Sequence, residues 1–282
     1  MTTITSDTSL SNIEFVAFDV ETTGLSPVAN RLVELSGVKF KLAEESVDTF
    51  STLIDPEDSI PPNVTAIHGI TDAMVAGAPT AKEVVPEFLN WAGDNAVFMA
   101  HNAPFDVEFM RVNIAKSNLP CPKNPVIDTL VMSRDLLLEL RNHQLKTIVE
   151  HFELPSAGFH RALADSMYVK QIFSRFVNSF TLLRWEDLQT LGSVSLFDYD
   201  RYAEAHAMLP EEVQATLESI EGAIRDQVLL KMVYEGSFKS TRTVRPMALI
   251  HSRGNFYMNA FCVRAKAERT FRVDRISGVK AI

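Results

Sequence analysis

Cysteine is almost absent from this chain. Its 282 residues hold two, Cys121 and Cys262. Two thiols make neither a disulfide framework nor a four-cysteine zinc site, and they fit a reducing cytoplasm. No run of eighteen apolar residues occurs, so no membrane span is expected. The opening stretch MTTITSDTSLSNIEF lacks both a basic start and an apolar core, and is not read as a secretory leader. Internal repeats and low-complexity tracts are missing as well, which excludes solenoids and fibrous arrays. What is present is 46% apolar and 22% charged residues, the composition of a folded globular chain. The length fits one large domain or two ordinary ones.

Charge is unevenly spread. The whole chain carries 27 Lys+Arg against 36 Asp+Glu, a net of −9. Residues 221–282 hold 12 basic and 5 acidic side chains, or +7, which leaves −16 on the remainder. An acidic body with a basic tail raises the expectation of a polyanionic partner.

The pattern of elements changes along the chain. Residues 1–12 are polar and expected to be disordered. Phe15–Val20, Arg31–Phe40 and Val47–Ile54 read as strands in an antiparallel meander. Ala96–Ala100 is a short apolar run suited to a central strand. Helical spacing marks Thr80–Trp91, Pro104–Asn113, Thr129–Leu140, Leu145–Phe152 and Ala162–Arg175. Strands followed by alternating strands and helices predict an α/β domain over 13–178 with a mixed sheet. Residues 179–220 read as a helical connector whose Trp185, Phe197, Tyr199 and Tyr202 pack on its neighbours. Its last helix opens at Pro210, where a first turn tolerates proline, and runs to about Asp226. Within 221–282, Leu229–Tyr234, Thr243–His251, Asn255–Val263 and Thr270–Val273 are strand-like. Glu235-Gly236 and the Ser252–Asn255 turn punctuate them, so a small all-β unit is expected.

Three short segments carry the chemistry. Asp19 and Glu21 lie two apart on a strand and leave the same face. At about 4 Å and an effective dielectric of about 20, such a like-charge pair costs about 4 kcal/mol, which a divalent cation removes. A solvated edge pair is the plain alternative. The next residues, Thr22, Thr23 and Gly24, offer hydroxyls and a close backbone approach to a phosphate or sugar, or else an ordinary turn. The second segment is His101-Asn102-Ala103-Pro104-Phe105-Asp106, at a strand-to-helix junction. Asn102 suits either a helix cap or a substrate contact, and Asp106 an acid of the first turn. The third is His160-Arg161-Ala162-Leu163-Ala164-Asp165. Five residues apart on one helix diverge by about 140°. A loop histidine and a first-turn aspartate converge, and Gly158 suits a mobile loop there.

Taken in order, D-x-E, H-N-x-x-F-D and H-x-A-x-x-D resemble the signature of the DnaQ-like, DEDDh-type 3′→5′ exonucleases, the family that includes polymerase III proofreading subunits. The resemblance implies an RNase H-like fold, a mixed sheet flanked by helices. It also implies two Mg²⁺ or Mn²⁺ ions per active site, held by Asp19, Glu21, Asp106 and Asp165, with His160 as the general base. Hard oxygen donors suit these ions, and imidazole suits proton transfer near neutral pH. The implied product is a nucleoside 5′-monophosphate. The Ala66–Thr71 segment is similar to the family's stretch near the terminal nucleotide, where Ile67 or His68 would wedge against bases. Asp128 reads as a helix cap.

The tail, residues 221–282, looks like a WYL domain, a small Sm-like β-fold that binds nucleic acid or a regulatory ligand. Phe256-Tyr257-Met258 stands at the eponymous triplet, with Tyr257 retained. Arg245-Pro246 and Phe271–Ile276 match more closely. Arg245, Tyr257, Arg272 and Arg275 form the expected binding patch, since arginine grips phosphate and stacks on bases. Internal salt bridges are the alternative use of those arginines.

The expected partner is thus nucleic acid, with DNA, single-stranded, favoured over RNA, and no membrane. Two other functions compete. One is a WYL-based nucleic-acid-binding regulator with weak nuclease activity, although no helix-turn-helix signal precedes the tail. The other is a polymerase proofreading subunit. No clamp-binding or polymerase-docking extension is seen, so a stand-alone role in DNA repair, turnover or defence is preferred.

Overall fold

The computed structural model describes residues 4–155, 159–197, 208–236, 238–252 and 254–282, with the backbone alone at Ser252. Gly158, Tyr199, Tyr202 and Arg253, named above for a loop, for packing and for a turn, lie outside the described residues. Residue contacts divide the chain into two compact units, one mainly up to residue 198 and one mainly from residue 199 on.

The first unit comprises β1 (Phe15–Thr22), β2 (Leu32–Phe40), β3 (Asp48–Leu53), α1 (Pro62–His68), α2 (Asp72–Val75), α3 (Ala81–Ala92), β4 (Val97–Ala100), α4 (Ala103–Lys116), β5 (Pro125–Asp128), α5 (Thr129–Leu136), α6 (Leu145–His151), α7 (Ala162–Ser179), α8 (Trp185–Thr190) and β6 (Val194–Leu196). The six strands form one sheet in the order β3-β2-β1-β4-β5-β6. β1, β2 and β3 run antiparallel, β4 and β5 lie parallel to β1, and β6 turns antiparallel again.

Alternation along β1 sends side chains to two cores. Phe18 meets Phe88 of α3, Phe98 and Phe197. Phe15 packs on Phe173 of α7, and Ala17 joins the same cluster. Asp19 and Glu21 continue that Phe15–Ala17 series, so they emerge on the face that α7 covers. Each fully buried phenylalanine contributes about 2–3 kcal/mol. Gly37, paired with Phe18 across the sheet, is required because an added Cβ would lie 2.9 Å from the rings of Phe88 and Trp91.

Two expectations for this unit need correction. Residues 4–12 are not disordered. Leu10 is buried, Leu10 N–H donates to the Leu183 carbonyl, and Trp185 and Glu186 N–H donate to those of Thr8 and Ser6. Backbone pairing between segments this far apart in sequence has no local signal. Nor does the part of the expected connector up to residue 197 stand apart from this unit, whereas residues 198–207 lie outside the described residues. Leu182, Trp185 and Leu188 are buried in the first core, and β6 extends its sheet.

The second unit holds α9 (Glu211–Asp226), β7 (Leu230–Glu235), β8 (Lys239–Ser252), β9 (Asn255–Cys262), β10 (Ala267–Arg272) and β11 (Ile276–Ala281). Its antiparallel sheet has the order β10-β9-β8-β7-β11. Leu217, Ile220 and Ala223 of α9 share a core with Met232, Val244, Phe256, Met258 and Phe271. Pro246 sits inside β8, past the Lys239–Val244 stretch that pairs with β7, and the β8–β9 pairing slips between Pro246 and Ala248. A bulge on a stretch paired on one side accommodates a residue without an N–H. Among the described residues no helix is long and apolar enough to cross a membrane.

Candidate active site

Glu21 sits at the end of β1, where the β1–β2 register slips between Glu21 and Thr22. Such an irregularity re-aims side chains at a sheet's rim. Asp106 comes from the first turn of α4. It is buried, and its Oδ1 accepts the N–H of Val20 at 3.1 Å, between the two β1 acids. Asp165 comes from the first turn of α7 and is also buried. His160 lies just before that helix, and its N–H donates to Asp165 Oδ2 at 3.1 Å. Ligand atoms of Glu21, His160 and Asp165 all fall within 4.8 Å of one another. Loop histidine and first-turn aspartate therefore meet, although they are five residues apart.

Burial and mutual repulsion dominate the electrostatics. Asp19 is pushed well above the usual carboxylate range, first by burial, then by Asp106, Glu21 and Asp165. Burial also raises Asp106, against the opposing N–H donation from Val20. Glu21 is raised to about 8 by burial, with Asp165 and Glu34 adding to the effect. Asp165 is raised to about 6, again chiefly by burial. Carboxylates crowded in this way bind protons or a cation. Asp165 Oδ1 supplies a sharper test of fit, since it is buried and has no hydrogen-bond partner among the described residues. An orphaned carboxylate oxygen beside Glu21 and His160 fits a divalent ion.

A cavity of about 1040 Å³ adjoins the cluster. His160 and Asp165 line it together with His101, Asn102, Arg134 and His143. His101 Nε2 donates to the His143 carbonyl at 2.8 Å, and its Nδ1 is 3.0 Å from Thr129 Oγ1. Burial lowers the pKa of His101, so it is a neutral brace between two loops. Asp128 caps α5 through Leu130 N–H and also accepts the N–H of Asn102 at 3.0 Å. That bond holds Asn102 at φ +68°, exposed at the head of α4.

The other expected contacts are placed differently. Thr22 and Thr23 are buried, and their hydroxyls close the turn. Thr22 Oγ1 donates to the Gly24 carbonyl at 2.7 Å, and Thr23 Oγ1 accepts Arg31 N–H at 2.9 Å. Gly24 is required by the turn itself, because an added Cβ would lie 2.8 Å from the Asn30 side chain. His68 is buried, with Nδ1 accepting Ile70 N–H at 3.0 Å, so its ring is not available for stacking. Of the two residues expected to wedge against bases, Ile67 is the exposed one. In the second unit, Arg245 lies over the Phe261 ring at 5.7 Å and is its cross-strand partner. Arg272 pairs with Tyr257 across β9 and β10 but is held by Asp274 at 2.8 Å. Tyr257 is half-buried, and Arg275 is exposed in the turn after β10.

Sequence reasoning passed over Glu34. It is buried on β2 opposite Glu21 and takes a forked bond from Arg161. A lone acid within the apolar run Leu32–Leu35 was the available signal.

The chain is similar to known proteins over both units. Residues 16–173 match the family model described as "Exonuclease", and residues 215–281 match the WYL domain. A DNA polymerase III PolC-type protein of Halalkalibacterium halodurans is 36% identical over 214 residues, covering 75% of this chain and 15% of that protein. Its counterpart from Thermotoga petrophila is 30% identical over 93% of this chain and 19% of its own length. The chain thus spans less than a quarter of these relatives. Among solved structures, exonuclease X in complex with 5′ overhanging duplex DNA has a TM-score of 0.50 at 24% identity, covering 64% of this chain and 99% of that one. Exonuclease I has a TM-score of 0.55 at 16% identity, covering 89% and 55%. The chain belongs to the exonuclease family and carries a WYL domain after its exonuclease region.

Proposed function

We propose that this chain is a metal-dependent 3′→5′ exonuclease that hydrolyses DNA, preferentially single-stranded, to nucleoside 5′-monophosphates. The observation that carries this reading is the meeting of Glu21, His160 and Asp165 ligand atoms within 4.8 Å, beside an orphaned Asp165 oxygen. Asp19, Glu21, Asp106 and Asp165 would hold two Mg²⁺ or Mn²⁺ ions. When bound, such ions supply charge neutralisation in the cluster and Lewis acidity toward the scissile phosphate. The chain's own residues do the rest. His160, exposed at the rim, accepts a proton from the attacking water. The neutral His101 and the backbone of Asn102 shape the wall along which the strand would lie. Ile67, exposed, offers an apolar edge to the terminal base, where stacking contributes about 1–3 kcal/mol.

The choice of DNA is supported by relatives named as DNA polymerases and by a structural neighbour solved with duplex DNA. The WYL domain would hold nucleic acid or a regulatory ligand through Arg245, Tyr257, Arg272 and Arg275. A proofreading role within a polymerase assembly is favoured by the same relatives. Copurification with a replicative polymerase would select it over a stand-alone role. The deciding experiment is a degradation panel of 5′-labelled single- and double-stranded DNA and RNA, with Mn²⁺ or with chelator. Stepwise loss from the 3′ end of single-stranded DNA, abolished by chelator, is expected. Intact substrate in the presence of metal contradicts the proposal.

A further inference from the structure

We propose that Glu34 and Arg161 form a clamp that positions His160 for the reaction, an inference that rests on the nuclease reading of the site. His160 holds φ +63°. A non-glycine residue keeps that conformation only when its surroundings over-determine it. Three consecutive residues supply the constraint. His160 N–H donates to Asp165. Arg161 lays its guanidinium on Glu34, with Nη2 2.7 Å from Oε1 and Nε 3.2 Å from Oε2. Ala162 N–H donates to the same Oε2 at 2.9 Å.

Glu34 is suited to this work. It is 2% exposed, so its charge is tolerated only because both oxygens are fully engaged. It lies directly across from Glu21 in the β1–β2 register. The clamp therefore fixes the histidine loop to the strand pair that presents the carboxylates, across 127 residues of sequence. A carboxylate at the start of α7 is also favourable toward the helix dipole. The Arg161 fork is planar and two-pronged, which lysine does not reproduce. Arg161 remains half-exposed, yet its polar face is committed to Glu34 rather than to substrate. Glu34 and Arg161 are thus positioning residues, and His160 is the group they place.

The test compares wild type, Glu34→Gln and Arg161→Lys in two measurements. One is kcat and KM on 5′-labelled single-stranded DNA with Mn²⁺. The other is hydrogen exchange of the 159–163 amides in the metal-free protein. For Glu34→Gln, kcat is expected to fall on the order of ten- to a hundredfold, the scale of a misplaced catalytic group. KM is expected to stay within about threefold while the 159–163 amides exchange faster. Arg161→Lys is expected to lie between the two. An unchanged kcat and unchanged exchange in Glu34→Gln overturn the clamp. So does a KM raised more than about tenfold at constant kcat in Arg161→Lys, which would make Arg161 a substrate contact. If wild type turns over no nucleic acid, the nuclease reading fails, and exchange alone decides whether the loop is clamped.

Discussion

The two units treat charge in opposite ways. The first gathers acids of like sign into a cluster and leaves Asp165 Oδ1 without a partner among the described residues. The second spreads basic residues over a sheet, where Arg272 meets Asp274 and Arg245 lies over Phe261. Local balance is what differs. Buried like charges call for an outside cation, whereas surface arginines with neighbours of their own are already stable. Net charge marks the tail as the anomaly of the chain, yet physical demand for a ligand is concentrated in the acidic body.

The most severe way to break this contrast is to remove one acid. Asp106→Asn is expected to lower turnover on the order of a hundred- to a thousandfold, the scale of losing a preorganised electrostatic group. The metal-free protein should melt no lower than wild type, because repulsion toward Asp19 and Glu21 is relieved. Gel assays and calorimetry on the same preparation check both outcomes.

A second perturbation uses pH. Glu21 rises from 4.5 to about 8 and Asp165 from 3.8 to about 6 on folding. The folded state therefore holds more protons than the unfolded one, and metal-free stability falls as pH climbs from about 4.5 toward 8. Asp19 and Asp106, also raised by burial, act in the same direction. Melting temperatures measured from pH 5 to 9 should show this decline, and saturating Mn²⁺ should flatten it.

Smaller effects sharpen the comparison. Gly24→Ala forces a Cβ to 2.8 Å from Asn30 and is expected to cost about 1–3 kcal/mol of stability by denaturant titration. Its weight falls on the turn, so Mn²⁺ affinity should be retained. Arg245→Ala is expected to raise KM only a few-fold. It should also shallow the salt dependence of binding by about 0.7 in log–log slope, the loss of one phosphate contact on a single strand. An unchanged slope would remove Arg245 from the nucleic-acid path.

Much of this was legible in residue order because the signals are local. Phe15–Val20 and Ala96–Ala100 are apolar runs. The three acidic segments sit where strands end or helices begin, and so converge by topology. What escaped is equally instructive. β5 is four residues long and β6 three, too short for periodicity to register. In β11, Ser277 and Gly278 dilute the strand pattern. Thr22 and Thr23 have ligand-like chemistry, but the turn uses their hydroxyls first. The Glu34–Arg161 fork joins two positions whose neighbours carry no mark of each other.

The most direct test of the acidic cluster is Mn²⁺ titration of the whole chain, followed by electron paramagnetic resonance and calorimetry, with Mg²⁺ as competitor. Two ions should bind per chain to wild type, and Asp19→Ala or Asp165→Ala should lose at least one of them. A wild-type protein that binds no Mn²⁺ at millimolar concentration would contradict the assignment of these carboxylates as a metal site.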